Sequence, residues 1–158
     1  MNRTLSVKDF PWLKCCVPRR RALRRGLVLG HDLSAGHRDG ALDLPLQRLP
    51  YFVGISGSTV GATGLSMHLI AIPPGGRSEP HSHRDYETAI YVPEGRVETR
   101  YGPGLNASVI SEAGDFLFIP PGEPHEAINL STTEPARAIV ARNDPAEQDN
   151  VVLDEPPR

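Results

Sequence analysis

The chain has 158 residues, of which 39% are hydrophobic, and a formal net charge of −2. That length fits one ordinary domain, and no apolar run reaches the roughly 20 residues a membrane-spanning helix needs. Its two cysteines, Cys15 and Cys16, are adjacent, which excludes a disulfide framework and argues against a cysteine-rich zinc site.

The small net charge conceals an asymmetry. Residues 1–38 carry nine Lys/Arg against two Asp, whereas residues 39–158 carry eight Arg against seventeen Asp/Glu. At the start, Arg3, Lys8 and Lys14 lead into no apolar stretch, because Asp9, Pro11 and Pro18 interrupt it; no signal peptide is predicted, and a soluble, cytoplasmic protein is expected. Five arginines crowd Arg19–Arg25 without interleaved aromatics, so a solvated basic tail is expected in preference to a nucleic-acid contact. A short helix over Arg19–Leu29 is limited by Gly26 and Gly30. Residues 1–40 are therefore read as a poorly structured basic extension and residues 41–158 as the folded domain.

From Leu49 onward the pattern changes to short β-like runs between Gly- and Pro-rich turns. Strands are predicted over Tyr51–Ser56, Leu65–Ile72, Thr88–Val92, Val97–Tyr101, Ser108–Ile110, Phe116–Ile119, His125–Asn129, Ala136–Ala141 and Val151–Leu153. Turn signals separate them, among them Pro73–Gly76, Pro93–Gly95, Gly102–Gly104, Ala113–Asp115 and Pro120–Gly122. Strands at spacings of about ten residues imply an all-β sandwich or barrel.

Two of the six histidines, His81 and His83, are two residues apart. On a strand such residues point to one face, roughly 6–7 Å apart at Cα, close enough for both imidazoles to meet one ion. Glu87 follows four residues later, and His125 comes from a distant strand to close the site. Nitrogen and carboxylate donors without thiolate suit one divalent ion of Fe, Zn, Mn, Ni or Co. Three or four protein ligands leave a position open for water or substrate, as catalytic sites do.

The surroundings of these histidines carry a resemblance. Gly75-x5-His81-x-His83-x3-Glu87-x7-Gly95 resembles the first motif of the cupin superfamily, and Gly114-x5-Pro120-x-Gly122-x2-His125-x3-Asn129 matches the second at each defined position. The 18 residues Arg96–Ala113 between the motifs suit a small single-domain bacterial cupin. The resemblance implies a double-stranded β-helix, or jelly-roll barrel, with a metal inside it on His81, His83, Glu87 and His125. One departure stands out. The family pattern usually leaves six residues between the Glu and the next Gly, and here there are seven. Counted back from Gly95, the ligand slot falls on Thr88. Since neighbouring strand residues face opposite ways, Glu87 reaches the ion only through a bulge near Tyr86; the competing site is three His completed by waters. His68, Thr88, Tyr91 and Tyr101 are the candidates for lining the pocket, with His68 a possible acid–base group.

The family hosts many activities, so fold does not fix function. The expected function is a metal-dependent, dioxygenase-like enzyme on a small organic molecule. The alternatives are a metal-dependent isomerase, epimerase or polyketide cyclase, and a non-enzymatic module that senses a small molecule or metal. Family members are commonly dimers, and the terminal strands of such barrels invite pairing; a homodimer is expected, with no membrane partner.

Overall fold

The computed structural model describes residues 42–43, 49–146 and 151–153; the basic extension expected over residues 1–40 lies outside them. The chain runs β1 (Leu42–Asp43), β2 (Tyr51–Ile55), α1 (Gly57–Val60), β3 (Ser66–Ile72), β4 (His81–His83), β5 (Thr88–Glu94), β6 (Arg96–Tyr101), β7 (Ala107–Glu112), β8 (Phe116–Ile119), β9 (His125–Asn129), β10 (Ala136–Arg142) and β11 (Val151–Leu153), with a 3-10 turn at Pro103–Leu105. All pairings are antiparallel. They form a six-stranded sheet, β1-β2-β3-β10-β5-β8, and a five-stranded sheet, β11-β4-β9-β6-β7. The non-sequential order within each sheet is that of the jelly-roll, double-stranded β-helix.

Alternation of side chains builds the interior. Along β10, Ala136, Ala138, Val140 and Arg142 are buried while the residues between them are half-buried, the two-residue period of a strand with one face on a core. Leu49, Ile72, Val97 and Ala136 form a buried cluster between the sheets, with Ile70 and Ala127 packed on it.

Turns fix how the strands enter the site. Gly95, between β5 and β6, has φ +94°, and a Cβ there would stand 2.6 Å from that of Ala136. Both the conformation and the close approach require glycine. Gly122, at φ +75°, turns the chain after β8 so that its N–H donates to the carbonyl of His83 at 2.6 Å. Asn129 locks the opposite side: its Nδ2 lies 2.8–3.1 Å from the carbonyls of Ile72, Pro73 and Glu134, and its Oδ1 accepts from the Ser131 N–H. The second motif thus ends on a residue that clamps loops.

Candidate metal centre

β4 and β9 are neighbours, and His81 lies directly opposite His125 in their register. His83, two residues along β4, faces the same way. One nitrogen from each of the three rings lies within 4.8 Å of the others; the ring centroids are 4.3 Å apart for His81–His125, 4.8 Å for His83–His125 and 5.2 Å for His81–His83. All three side chains are buried.

Hydrogen bonds decide which nitrogens face the shared point. The Nδ1–H of His81 donates to the Glu79 carbonyl and that of His125 to the Glu123 carbonyl, each at 2.8 Å. A carbonyl only accepts, so in both rings Nδ1 carries the proton and Nε2 the lone pair. His83 Nδ1 lies 2.8 Å from the hydroxyl of Thr88, and its Nε2 is buried without a hydrogen-bond partner. Such a buried orphan calls for an explanation, and a metal ion supplies one. The Nε2 lone pairs of His81 and His125 and the partnerless Nε2 of His83 converge, each ring steered through its other nitrogen, and fit an ion of the Fe, Zn, Mn, Ni or Co group. Burial, with smaller contributions from His125 and Arg142, holds the His81 imidazole down to about 3. Burial first, then Arg142 and the two other rings, pushes His83 well below the ordinary range. Both rings are therefore neutral near pH 7, the form that binds metal.

One member of the expected ligand set lies apart from the three histidines. Glu87 is exposed and stands outside the cluster of possible ligands; its backbone N–H donates to Asn143 Oδ1 at 2.9 Å. The reason is strand parity. Thr88 opens β5 facing inward at 1% exposure, and Ile90 and Val92 continue that face into the cavity. Its neighbour Glu87 therefore points out. Thr88 takes the interior slot and orients His83.

Two of the other pocket candidates lie elsewhere and a third lies at the margin. His68 is buried on β3 but packs against Tyr51, with ring centroids 4.7 Å apart, and is not among the residues lining the cavity. Tyr91 faces outward, opposite in phase to Thr88, and packs on Phe116 at 4.9 Å. Tyr101 pairs with His125 across β6 and β9 and lines a second pocket, of about 360 Å³, with Val109, Phe118, Glu123 and His125, and is not among the residues lining the inner cavity.

Sequence reasoning missed Arg142. It lines the same cavity as the histidines and is 4% exposed; its Nη1 donates to Tyr51 Oη at 2.6 Å. The signal was present, because Arg142 continues the inward phase of Ala136, Ala138 and Val140. Tyr86 is 1% exposed and stacks on His83 at 4.8 Å. Burial raises its phenol, with Arg142 opposing. The cavity itself is about 60 Å³, and the described side chains around it are mostly aliphatic.

The comparisons with known proteins agree with this geometry. The family profile described as Cupin domain matches residues 68–142, which hold all three histidines, and supports a cupin-superfamily protein. The chain is similar to a germin-like protein, subfamily T member 3, of Arabidopsis thaliana, with 39% identity over 86 residues; these cover 51% of this chain and 37% of that protein. Among solved structures it resembles a recombinant oxalate oxidase in complex with glycolate (TM-score 0.60, 22% identity, 79% of this chain and 65% of the other). It also resembles the oxalate decarboxylase of Lactobacillus farciminis (TM-score 0.58, 22% identity, 66% of this chain and 31% of the other). A protein with a double-stranded β-helix domain from Klebsiella pneumoniae gives a TM-score of 0.55 at 21% identity, covering 68% of this chain and 84% of the other. The chain thus spans little more than a third of the germin-like relative, and the structural likenesses show the fold.

Proposed function

We propose that the protein is a cupin with one divalent ion on His81, His83 and His125, acting as a dioxygenase-like enzyme on a small organic molecule. The observation that carries this reading is the convergence of three buried imidazoles, one nitrogen of each within 4.8 Å of the others, on a largely aliphatic cavity. Bound there, an ion supplies Lewis acidity toward substrate oxygens and, as iron, electrons for oxygen chemistry.

The chain's own residues do the positioning. The carbonyls of Glu79 and Glu123 and the hydroxyl of Thr88 hold the three rings in place. Tyr86, stacked on His83, closes one side of that ring. The aliphatic walls exclude water, so charges inside interact more strongly than they would in solvent. The reading includes a homodimer: β8 is a sheet edge whose Phe116 and Phe118 are 81% and 58% exposed, a surface that invites pairing. It also includes a cytoplasmic location. Among the described residues no helix is long and apolar enough to cross a membrane.

Metal analysis joined to oxygen-electrode assays tests the enzyme reading. Iron-loaded protein is expected to consume dioxygen with a diketone, thiol or phenolic substrate. A protein that holds zinc tightly and consumes none overturns the oxygenase version and favours the isomerase or cyclase one. Solution scattering that reports a monomer at micromolar concentration overturns the dimer.

A further inference from the structure

The second pocket carries chemistry that the metal centre does not use. At about 360 Å³ it lies within the range of small-molecule sites, whereas the inner cavity of about 60 Å³ admits a handful of water-sized groups, at roughly 10–15 Å³ each. Its walls come from β6 and β7 of one sheet and β8 of the other, and β7 and β8 are outer strands of their sheets. Thr99, Leu117, Ile119 and His125 line both hollows. A molecule held in the second pocket therefore touches side chains that also wall the metal centre.

The wall favours one kind of ligand. Most of it is apolar, and Val109 and Phe118 are 36% and 58% exposed, surface that gains by being covered. Within that wall stands one charged side chain, Glu123, and none of the described lining residues is Lys or Arg. Among the described residues no cation pairs with its carboxylate. The carboxylate lies beside the turn that follows Tyr101, its Oε1 3.8 Å from where a Cβ on Gly102 would stand. Backbone bonds fix that place: the Gly102 N–H donates to the Pro124 carbonyl at 3.0 Å, and the Glu123 carbonyl accepts from His125 at 2.8 Å.

A carboxylate only accepts, and its strongest donors are cationic. Tyr101 and Phe118 add aromatic rings, whose faces attract a cation. An anion would be repelled there, and a wholly apolar molecule would strip water from the carboxylate without replacing it.

We propose that this pocket binds a small organic ammonium with an apolar, ring-sized body, its charged nitrogen on Glu123 and its body against Val109, Leu117 and Phe118. The site goes beyond the metal reading and stands without it, since none of these interactions runs through an ion.

The test is calorimetric titration of the full chain with three probes of similar shape: 2-phenylethylamine, the neutral 2-phenylethanol and the anionic phenylacetate. The expected result is saturable binding of the amine, about tenfold tighter than the alcohol, with the acid weakest. Glu123→Gln is expected to bring the amine down to the alcohol, a loss of about tenfold, and to leave the alcohol unchanged. Val109→Trp fills the pocket from its outer strand and is expected to weaken amine and alcohol together, by about tenfold or more. No binding of the amine, equal affinity for amine and alcohol in the unaltered protein, or an amine affinity that either substitution leaves intact overturns the proposal, and the metal reading is untouched by any of these. Should Glu123→Gln fail to fold, the comparison of amine with alcohol and the response of Val109→Trp still decide.

Discussion

Thr88 is the residue on which the chemistry of the site turns. Its hydroxyl is the partner of His83 Nδ1, and partners of this kind keep a ligating imidazole in its tautomer and direction. Thr88→Val keeps the shape and removes the hydroxyl. Metal affinity is expected to fall by about 10–100-fold with little change in fold, read by competition with a chelator; an unchanged affinity would show that the hydroxyl does not steer the ring. His81→Ala and His125→Ala remove donors outright, and each is expected to abolish tight binding. The three histidines were legible in the sequence because a two-residue spacing and a motif-bound partner both mark a strand surface. The outward turn of Glu87 was legible only in the count back from Gly95, since the Glu sits at an ordinary spacing from His83 and parity alone reverses it. Arg142 was legible only through its phase with Ala136, Ala138 and Val140, because a charged residue at a strand end otherwise reads as solvent-facing.

At the scale of elements, turns carry the constraints that the strands obey. Gly95→Ala forces a Cβ into contact with Ala136 at 2.6 Å and keeps φ at +94°. The expected cost is on the order of 1–3 kcal/mol, measured by denaturant unfolding; a variant as stable as the parent would mean that the β5–β6 turn relaxes freely. Most strands were legible from alternation and turn chemistry, and Phe116–Ile119, His125–Asn129 and Val151–Leu153 occur at their expected bounds. β4 escaped a reading by pattern, because His-Ser-His has no apolar alternation and its burial comes from the opposite sheet. The short α1 was not among the predicted elements. Its single turn exists through the reciprocal capping of Ser56 and Thr59, a local device with no hydrophobic period to announce it.

For the whole molecule, burying neutral imidazoles ties stability to pH. His81 is held at about 3 in the folded chain against an ordinary 6.5, and His83 is lowered as well. The unfolded chain therefore binds more protons below about pH 6.5. The metal-free protein is expected to have this stability in full above that pH and to lose it as pH falls toward 3, at up to about 1.4 kcal/mol per unit for each ring. A thermal midpoint flat from pH 7 to pH 4 would contradict that. An ion that binds only the folded form adds stability by mass action, so chelation should lower the midpoint at neutral pH.

The account stands on three rings holding one ion, and calorimetric titration of purified, metal-stripped protein with divalent cobalt or zinc tests it most directly. It expects saturation at about one ion per chain, with the heat lost in a variant carrying Ala at positions 81, 83 and 125. No binding by the unaltered protein, or undiminished binding by that triple variant, would contradict it.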